Sequence, residues 1–329
     1  MGVSSTVNLA YTVFAFFGFV LAAVPIYWQL EVWNVGACSY LAWTAIQCLI
    51  VFVNTIVWRD NVINWAPVWC DISTKITIGT GIALQAASLC INRRLYLISK
   101  SPAAGVGSGS GRRRIIMADL SICLGIPLVF MILHYICQGH RFNIFEGLGC
   151  TASTYFTPVT WAIFVPWPIV VSLISSIYGG LTIYRFSRIE KTFDELRGQR
   201  TSLTKRRYLR LMTIASGEIV CGLPILLFNL AITTQSPTYP WISWEDTHYN
   251  FSRVIQVPAV EWRSVGELFV FVKTSLLLPP LAAVLFVVFS GLVGDAVRNY
   301  RVPLDFVANR CCFWRKVVPT PYVFLIHLF

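Results

Sequence analysis

Apolar residues are gathered along the chain into seven blocks, 8–28, 37–58, 69–91, 117–136, 158–184, 211–233 and 267–290, and most charges fall between them. A helix needs about 20 such residues to cross the hydrocarbon of a bilayer. Lipid offers backbone polar groups no partners, so the blocks are predicted to be helices. The first block lacks a basic leader and a small-residue cleavage motif, and it runs longer than the apolar core of a signal peptide; it reads as a span. The expected fold is an all-α membrane protein, a seven-transmembrane helix bundle.

Lysine and arginine set the orientation, because cytoplasmic loops hold their excess. Arg93, Arg94, Lys100, Arg112, Arg113 and Arg114 separate blocks three and four with no acid among them. Residues 185–210, between blocks five and six, carry nine positive charges against three acids. After block seven, Arg298, Arg301, Arg310, Arg315 and Lys316 outweigh Asp295 and Asp305, whereas the segments on the other face are nearly neutral. The basic segments are therefore expected inside, with the N-terminus outside and the C-terminus cytoplasmic. Residues 1–301 form the seven-span domain and 302–329 a short cytoplasmic tail. The stretch 103–111, AAGVGSGSG, is a flexible linker by composition.

Composition narrows the function classes. Of 329 residues 56% are apolar and 12% charged, about half the charge of an average soluble domain at roughly 25%. The net charge of +11 lies between apolar blocks and not on one continuous face, which removes nucleic acid as a partner. Four histidines (His134, His140, His248, His327) show no metal-ligand spacing, and no nucleophile stands beside a base, so neither an enzyme nor a cofactor is expected. A transporter lacks the internal repeat such folds carry. A retinal-binding seven-helix protein remains open through Lys273 with Asp71 as counter-ion, although its inner loops would be short.

Ionisable residues at membrane depth are the first functional candidates. Asp71 and Lys75 are spaced i, i+4, the favourable order on a helix, near the outer end of block three; Lys273 lies six residues into block seven with Glu267 at its rim. Glu218 and Asn54 are further polar groups within spans. Pro127, Pro166, Pro168, Pro224, Pro279 and Pro280 interrupt spans and permit kinks; Glu218 with Pro224, Pro279 and Pro280 are the switch candidates. Cys70 and Cys150 fall on the oxidising side, where either a bridge, two free thiols or a pairing with Cys137 is possible. Asn250-Phe251-Ser252 is a glycosylation sequon, and Cys311 and Cys312 suit palmitoylation. Cys38, Cys48, Cys90, Cys123 and Cys221 sit in apolar blocks as small apolar groups.

Several stretches together resemble a known family: Pro67-Val68-Trp69-Cys70-Asp71-Ile72, then Leu89-Cys90-Ile91-Asn92-Arg93-Arg94-Leu95-Tyr96, then Gln138-Gly139-His140-Arg141-Phe142 leading to Glu146, Gly149 and Cys150, and Pro279-Pro280-Leu281 followed by Tyr300-Arg301. They are similar to the fungal mating-pheromone receptors of the lipopeptide (a-factor) type, basidiomycete members included, over about residues 8–301. The resemblance implies a multi-pass plasma-membrane receptor for a farnesylated peptide that signals through a heterotrimeric G protein. Ligand contacts are then expected from Trp69, Asp71, Lys75, Arg141, Glu146, Tyr155, Trp161, Glu267 and Lys273. G-protein contacts are expected from Arg93, Arg94, Lys205, Arg206, Arg207 and Arg210. The family usually carries a longer polar inner tail, whereas this chain closes on the apolar run Val323 to Phe329.

Overall fold

The computed structural model describes residues 2–31, 33–100, 110–195, 217–234 and 237–291. Helices α1 (Gly2–Glu31) and α2 (Val35–Val57) are joined by a short turn, and α3 (Pro67–Lys100) follows. Asn34 stops the fraying of α2 by accepting the Ala37 N–H on its side-chain oxygen. Pro67 opens α3 at a position where a missing N–H costs nothing. The chain continues through α4 (Ser110–Leu120), α5 (Ile126–Cys137), α6 (Pro158–Ile163), α7 (Pro166–Glu195), α8 (Leu223–Thr233), the short α9 (Trp244–Thr247) and α10 (Ala259–Ser264), and α11 (Gly266–Gly291).

Six helical stretches among the described residues are long and apolar enough to cross a membrane: Asn8–Glu31, Val35–Val57, Pro67–Ser99, Arg113–Cys137, Pro158–Arg185 and Leu268–Val288. A shorter apolar helix, Ile219–Thr233, stands where the sixth block was expected; residues 211–216 of that block lie outside the described residues.

Prolines shape these helices in three ways. Pro127 and Pro224 each stand in the first turn of a helix, α5 and α8, directly after a five-residue π turn, Ser121–Gly125 and Glu218–Gly222. A proline cannot donate to the preceding turn and its ring crowds that turn's carbonyl, and a wider π turn absorbs the mismatch. Pro166 instead starts α7 afresh, leaving Phe164 and Val165 as a break between α6 and α7. Pro279 and Pro280 lie inside α11, where Pro280 packs so closely on α1 that a Cβ on Gly18 would meet its Cα at 2.8 Å.

The all-helical expectation needs one correction. At the end of the bundle where α3 begins, β1 (Phe142–Phe145) pairs antiparallel with β2 (Gly149–Thr151) and parallel with β3 (Val254–Val257), in the order β2-β1-β3. The β1–β2 turn needs two left-handed residues, Gly147 and Gly149, both at φ +82°, a conformation glycine adopts without strain. Phe142 and Ile144 of β1 cluster with Trp58, Cys70 and Cys150, while Phe145 and Leu148 plug the space between Ala15, Val51, Trp262, Val272 and Leu276. The sheet is thus a lid with β2 on α3 and with the end of β1 and the β1–β2 turn sunk between α1, α2 and α11. A Cys70–Cys150 disulfide, Cα to Cα 5.2 Å, ties β2 to α3, and the Gly147 N–H donates to the Trp58 carbonyl at 2.7 Å.

Gly149→Ala tests the lid's seat. Its Cβ would stand 2.6 Å from the Asn54 Cβ at a positive φ, so a loss of about 2–3 kcal/mol is expected. Gly81→Ala in α3, whose Cβ meets nothing within 4 Å, is expected to hold or gain up to about 1 kcal/mol. Thermal unfolding followed by tryptophan fluorescence separates the two; equal losses would contradict the packing.

Candidate functional site

At the sheet end of α3, Arg141 reaches back from the loop after α5 and grips Asp71 with both arms of its guanidinium. Nε donates to Oδ1 at 2.9 Å and Nη2 to Oδ2 at 2.6 Å. The planar fork matches a carboxylate in a way an ammonium does not, which is why Asp71 pairs with a residue 70 positions away and not with Lys75, its i+4 neighbour. Both side chains are over a third exposed, 35% and 40%, so the pair adds at most about 1 kcal/mol of stability and acts mainly to fix the loop. The hydrogen bonds to Asp71 hold the Arg141 pKa above its already high ordinary value. Lys75 turns the other way: its Nζ donates to Gln138 Oε1 at 2.6 Å and lies 3.4 Å from His134 Nδ1. Gln138 Nε2 in turn donates to the Arg141 carbonyl at 2.7 Å. Asp71, Lys75, Gln138 and Arg141, with Thr74, Tyr135, Phe251 and Ser252, line a cavity of about 380 Å³.

Beside Arg141 the imidazole of His140 is 8% exposed. It donates from Nε2 to Asn143 Oδ1, accepts the Ser153 hydroxyl on Nδ1 at 2.9 Å, and has the Arg253 guanidinium 3.5 Å from the same nitrogen. Burial pushes its pKa below the ordinary value; the Asn143 bond opposes this and the Arg253 charge adds to it.

The other candidates at this end are spread over the lid and its rim. Trp69 Nε1 donates to the buried Asn54 Oδ1 at 2.8 Å and so couples α3 to α2. Glu146 Oε2 accepts the Ala259 N–H at 2.8 Å, capping α10, and its carbonyl accepts Trp262 Nε1. Tyr155 stacks on Tyr239 at 5.2 Å, and Trp161 Nε1 donates to Thr238 Oγ1 at 3.1 Å. Lys273 places its ammonium 4.7 Å from the Tyr11 ring centroid, 5.7 Å from Phe269 and 5.8 Å from Trp262, a cation–π cage. Asn250 sits exposed in a turn at φ 50°. Gln138, Tyr135, Phe251 and Ser252 were absent from the sequence-derived set; the one available signal was Gln138 three residues before Arg141 at the end of an apolar block.

At the far end of α3, about 33 Å away at 1.5 Å per residue, Arg93 pairs with the buried Asp119 at 2.7 Å, and Arg94 Nη1 donates to the Trp33 carbonyl at 2.6 Å. Asp119 went unnoticed in the sequence because it lies inside an apolar block. A cavity of about 580 Å³ runs between α2, α3, α8 and α11 and is bordered by Gln47, Gly81, Asn92, Arg94, Gly222 and Pro279. Lys205, Arg206, Arg207, Arg210, Cys311 and Cys312 lie outside the described residues, as do the side chains of Glu218 and Glu267. Among the described residues no three His, Cys, Asp or Glu side chains are placed to hold a metal.

Residues 10–308 match the profile of the pheromone A receptor, STE3. The chain belongs to the STE3 pheromone A receptor family. It is 44% identical to the Pheromone B alpha 3 receptor of Schizophyllum commune over 87% of this chain and 46% of that relative. Pheromone receptor 1 of Mycosarcoma maydis is 30% identical over 88% of this chain and 81% of its own length. The Pheromone a factor receptor of Saccharomyces cerevisiae is 23% identical over 91% and 63%. The chain spans about half the length of the Schizophyllum relatives it matches. The family match takes in the lid, both ends of α3 and both cavities.

His140 makes the lid pH-sensitive. Its folded pKa lies below the ordinary value of about 6.5, so its contribution is complete above that pH and shrinks as pH falls below it. The unfolding temperature is expected to drop as pH falls below about 6.5, with a shallower slope in His140→Gln. A slope unchanged in that variant would contradict the assignment.

Proposed function

We propose that the chain is a multi-pass plasma-membrane receptor for a secreted, farnesylated peptide mating pheromone, coupled to a heterotrimeric G protein. The observation that carries this is the family match over residues 10–308. The sheet-bearing end faces outward with the N-terminus, the helix Ile219–Thr233 belongs to a full sixth span among seven, and the basic segments face the cytosol. A disulfide at the sheet end and arginines at the far end of α3 support that sidedness.

Each carbon of a farnesyl chain contributes about 0.8 kcal/mol on leaving water, yet the free ligand already rests that chain in the bilayer. The lipid therefore supplies local concentration, and the peptide must supply discrimination. The cavity around Asp71, Lys75 and Arg141 is where it does so, with Trp69, Glu146, Tyr155, Trp161, Glu267 and Lys273 holding or rimming the lid. A ligand shifts an inactive–active equilibrium only by its difference in affinity for the two states. The joints that can change are the π turn before Pro224, with Glu218 at its start, and the Pro279-Pro280 step of α11, where Pro279 borders the larger cavity. Movement there would open the inner ends of the helices and present Arg93, Arg94, Lys205, Arg206, Arg207 and Arg210 to the G protein. A glycan on Asn250 and palmitate on Cys311 and Cys312 fit the same sidedness. A retinal-binding reading loses its counter-ion, because Asp71 is held by Arg141.

Nucleotide exchange on a G protein reconstituted with the chain in lipid discs is the test. A farnesylated peptide from a pheromone-like library is expected to raise exchange about tenfold, and neutralising Lys205, Arg206 and Arg207 to abolish the rise. Silence toward the entire library would defeat the proposal.

A further inference from the structure

We propose that Lys75 reads the ligand's sequence, by taking the carboxylate of an aspartate or glutamate side chain of the peptide into the cavity at the sheet end. This rests on the receptor reading above and adds the chemistry of the group the cavity selects.

The charges in the cavity do not balance. Arg141 and Asp71 satisfy each other through two hydrogen bonds, which leaves one ammonium on the wall. Among the described residues no carboxylate oxygen lies within 4.0 Å of Lys75; the ion pairs there are Arg59–Asp60, Arg93–Asp119 and Arg141–Asp71. Its hydrogen bonds are unbalanced too. An ammonium has three N–H donors; Gln138 Oε1 accepts one and His134 Nδ1, at 3.4 Å, accepts a second, the other ring nitrogen of His134 being occupied by Thr154 Oγ1. The third donor has no acceptor among the described residues. The Tyr135 ring, 5.9 Å from Nζ, favours a cation but accepts no strong hydrogen bond.

A half-buried cation gains more from an arriving anion than a fully exposed one does, because less water screens the pair. Gln138 does not need the charge in order to be placed, since the Arg141 carbonyl already orients it. The neighbouring charges sharpen the choice. A carboxylate on Lys75 lies next to a second cation, Arg141, whereas a basic side chain would face two cations and an acid whose oxygens are both engaged. An amide of the same shape keeps one hydrogen bond and loses the charge. The expected order of preference at this subsite is therefore acid, then amide, then base. Tyr135 and Phe251 on the same wall place an apolar or aromatic neighbour beside the acid.

The test uses the full chain in reporter cells and a synthetic library of farnesylated peptides, blocked at the C-terminal carboxyl as the methyl ester and made in matched triplets. Members of a triplet differ at one position, which carries Glu, Gln or Lys. Activating peptides are expected to carry the acid, and its amide counterpart to need about 10- to 100-fold more peptide for half-maximal response, the effect of one charge-assisted hydrogen bond. Lys75→Glu is expected to reverse the order so that the Lys member becomes the best of its triplet. Lys75→Met should level the Glu and Gln members. Triplets that activate without preference, or a Lys75→Met chain that weakens all members equally at unchanged surface amount, overturn the proposal and leave the receptor reading standing. Responses indifferent to the peptide acid but lost when anionic phospholipid is withdrawn from reconstituted discs assign Lys75 to a lipid phosphate and overturn it as well. Activation by no triplet overturns the receptor reading on which it depends.

Discussion

Two consecutive residues at the head of α3 hold the loop that follows α5. Cys70 does so through its bond to Cys150, and Asp71 through its paired hydrogen bonds to Arg141. The covalent tie closes a loop of 80 residues, and in the loop-entropy view such a closure is worth about 4 kcal/mol. That is far more than the exposed ion pair adds, so the two have different jobs. The disulfide keeps the lid on the bundle, and the ion pair turns Arg141 and Gln138 toward the cavity. With β1 fixed in this way, β3 can add alongside it, Glu146 can cap α10, and Trp262 can pack over Val272 and Leu276. Without it the segment between α5 and α6 would keep only its packing, Phe142 and Ile144 against Trp58 and the plug formed by Phe145 and Leu148.

The helices were legible from sequence because span length and apolarity are imposed by the bilayer and need no knowledge of partners. The lid was not. Its strands are four, three and four residues long, too short for a period to register, and they depend on a parallel pairing between segments more than a hundred residues apart. The same locality explains the site. An i, i+4 rule sees Asp71 with Lys75 but cannot see Arg141, which competes for the acid with better geometry. Glu146 was expected as a ligand contact, and nothing nearby in the sequence announces the helix end it caps. Asp119 was hidden inside an apolar block, although Arg93 requires a partner at that depth. Lys273 was singled out as a charge within a span, and its partners are rings from α1, α10 and α11, which only the packed bundle brings together.

α3 connects the two ends. Its head carries the small, charged cavity, its tail carries Arg93 and Arg94, and its middle lines the larger cavity shared with α2, α8 and α11. Facing that same space are the π turn before Pro224 and the paired prolines of α11, the joints proposed above. Closure of the lid cavity on a peptide would thus act on the bundle through the lid's plug against α1, α2 and α11. The close seat of Pro280 on Gly18 puts α1 directly against α11 at that proposed joint.

Photo-crosslinking decides most directly whether the cavity under the lid is where the lipopeptide is read. With a benzophenone amino acid placed in turn at Tyr135, at Phe251 and at Gly81, an activating farnesylated peptide is predicted to crosslink from the first two positions and not from the third. Crosslinks from Gly81 alone, with Tyr135 and Phe251 silent, would put the ligand in the larger cavity and contradict the central claim.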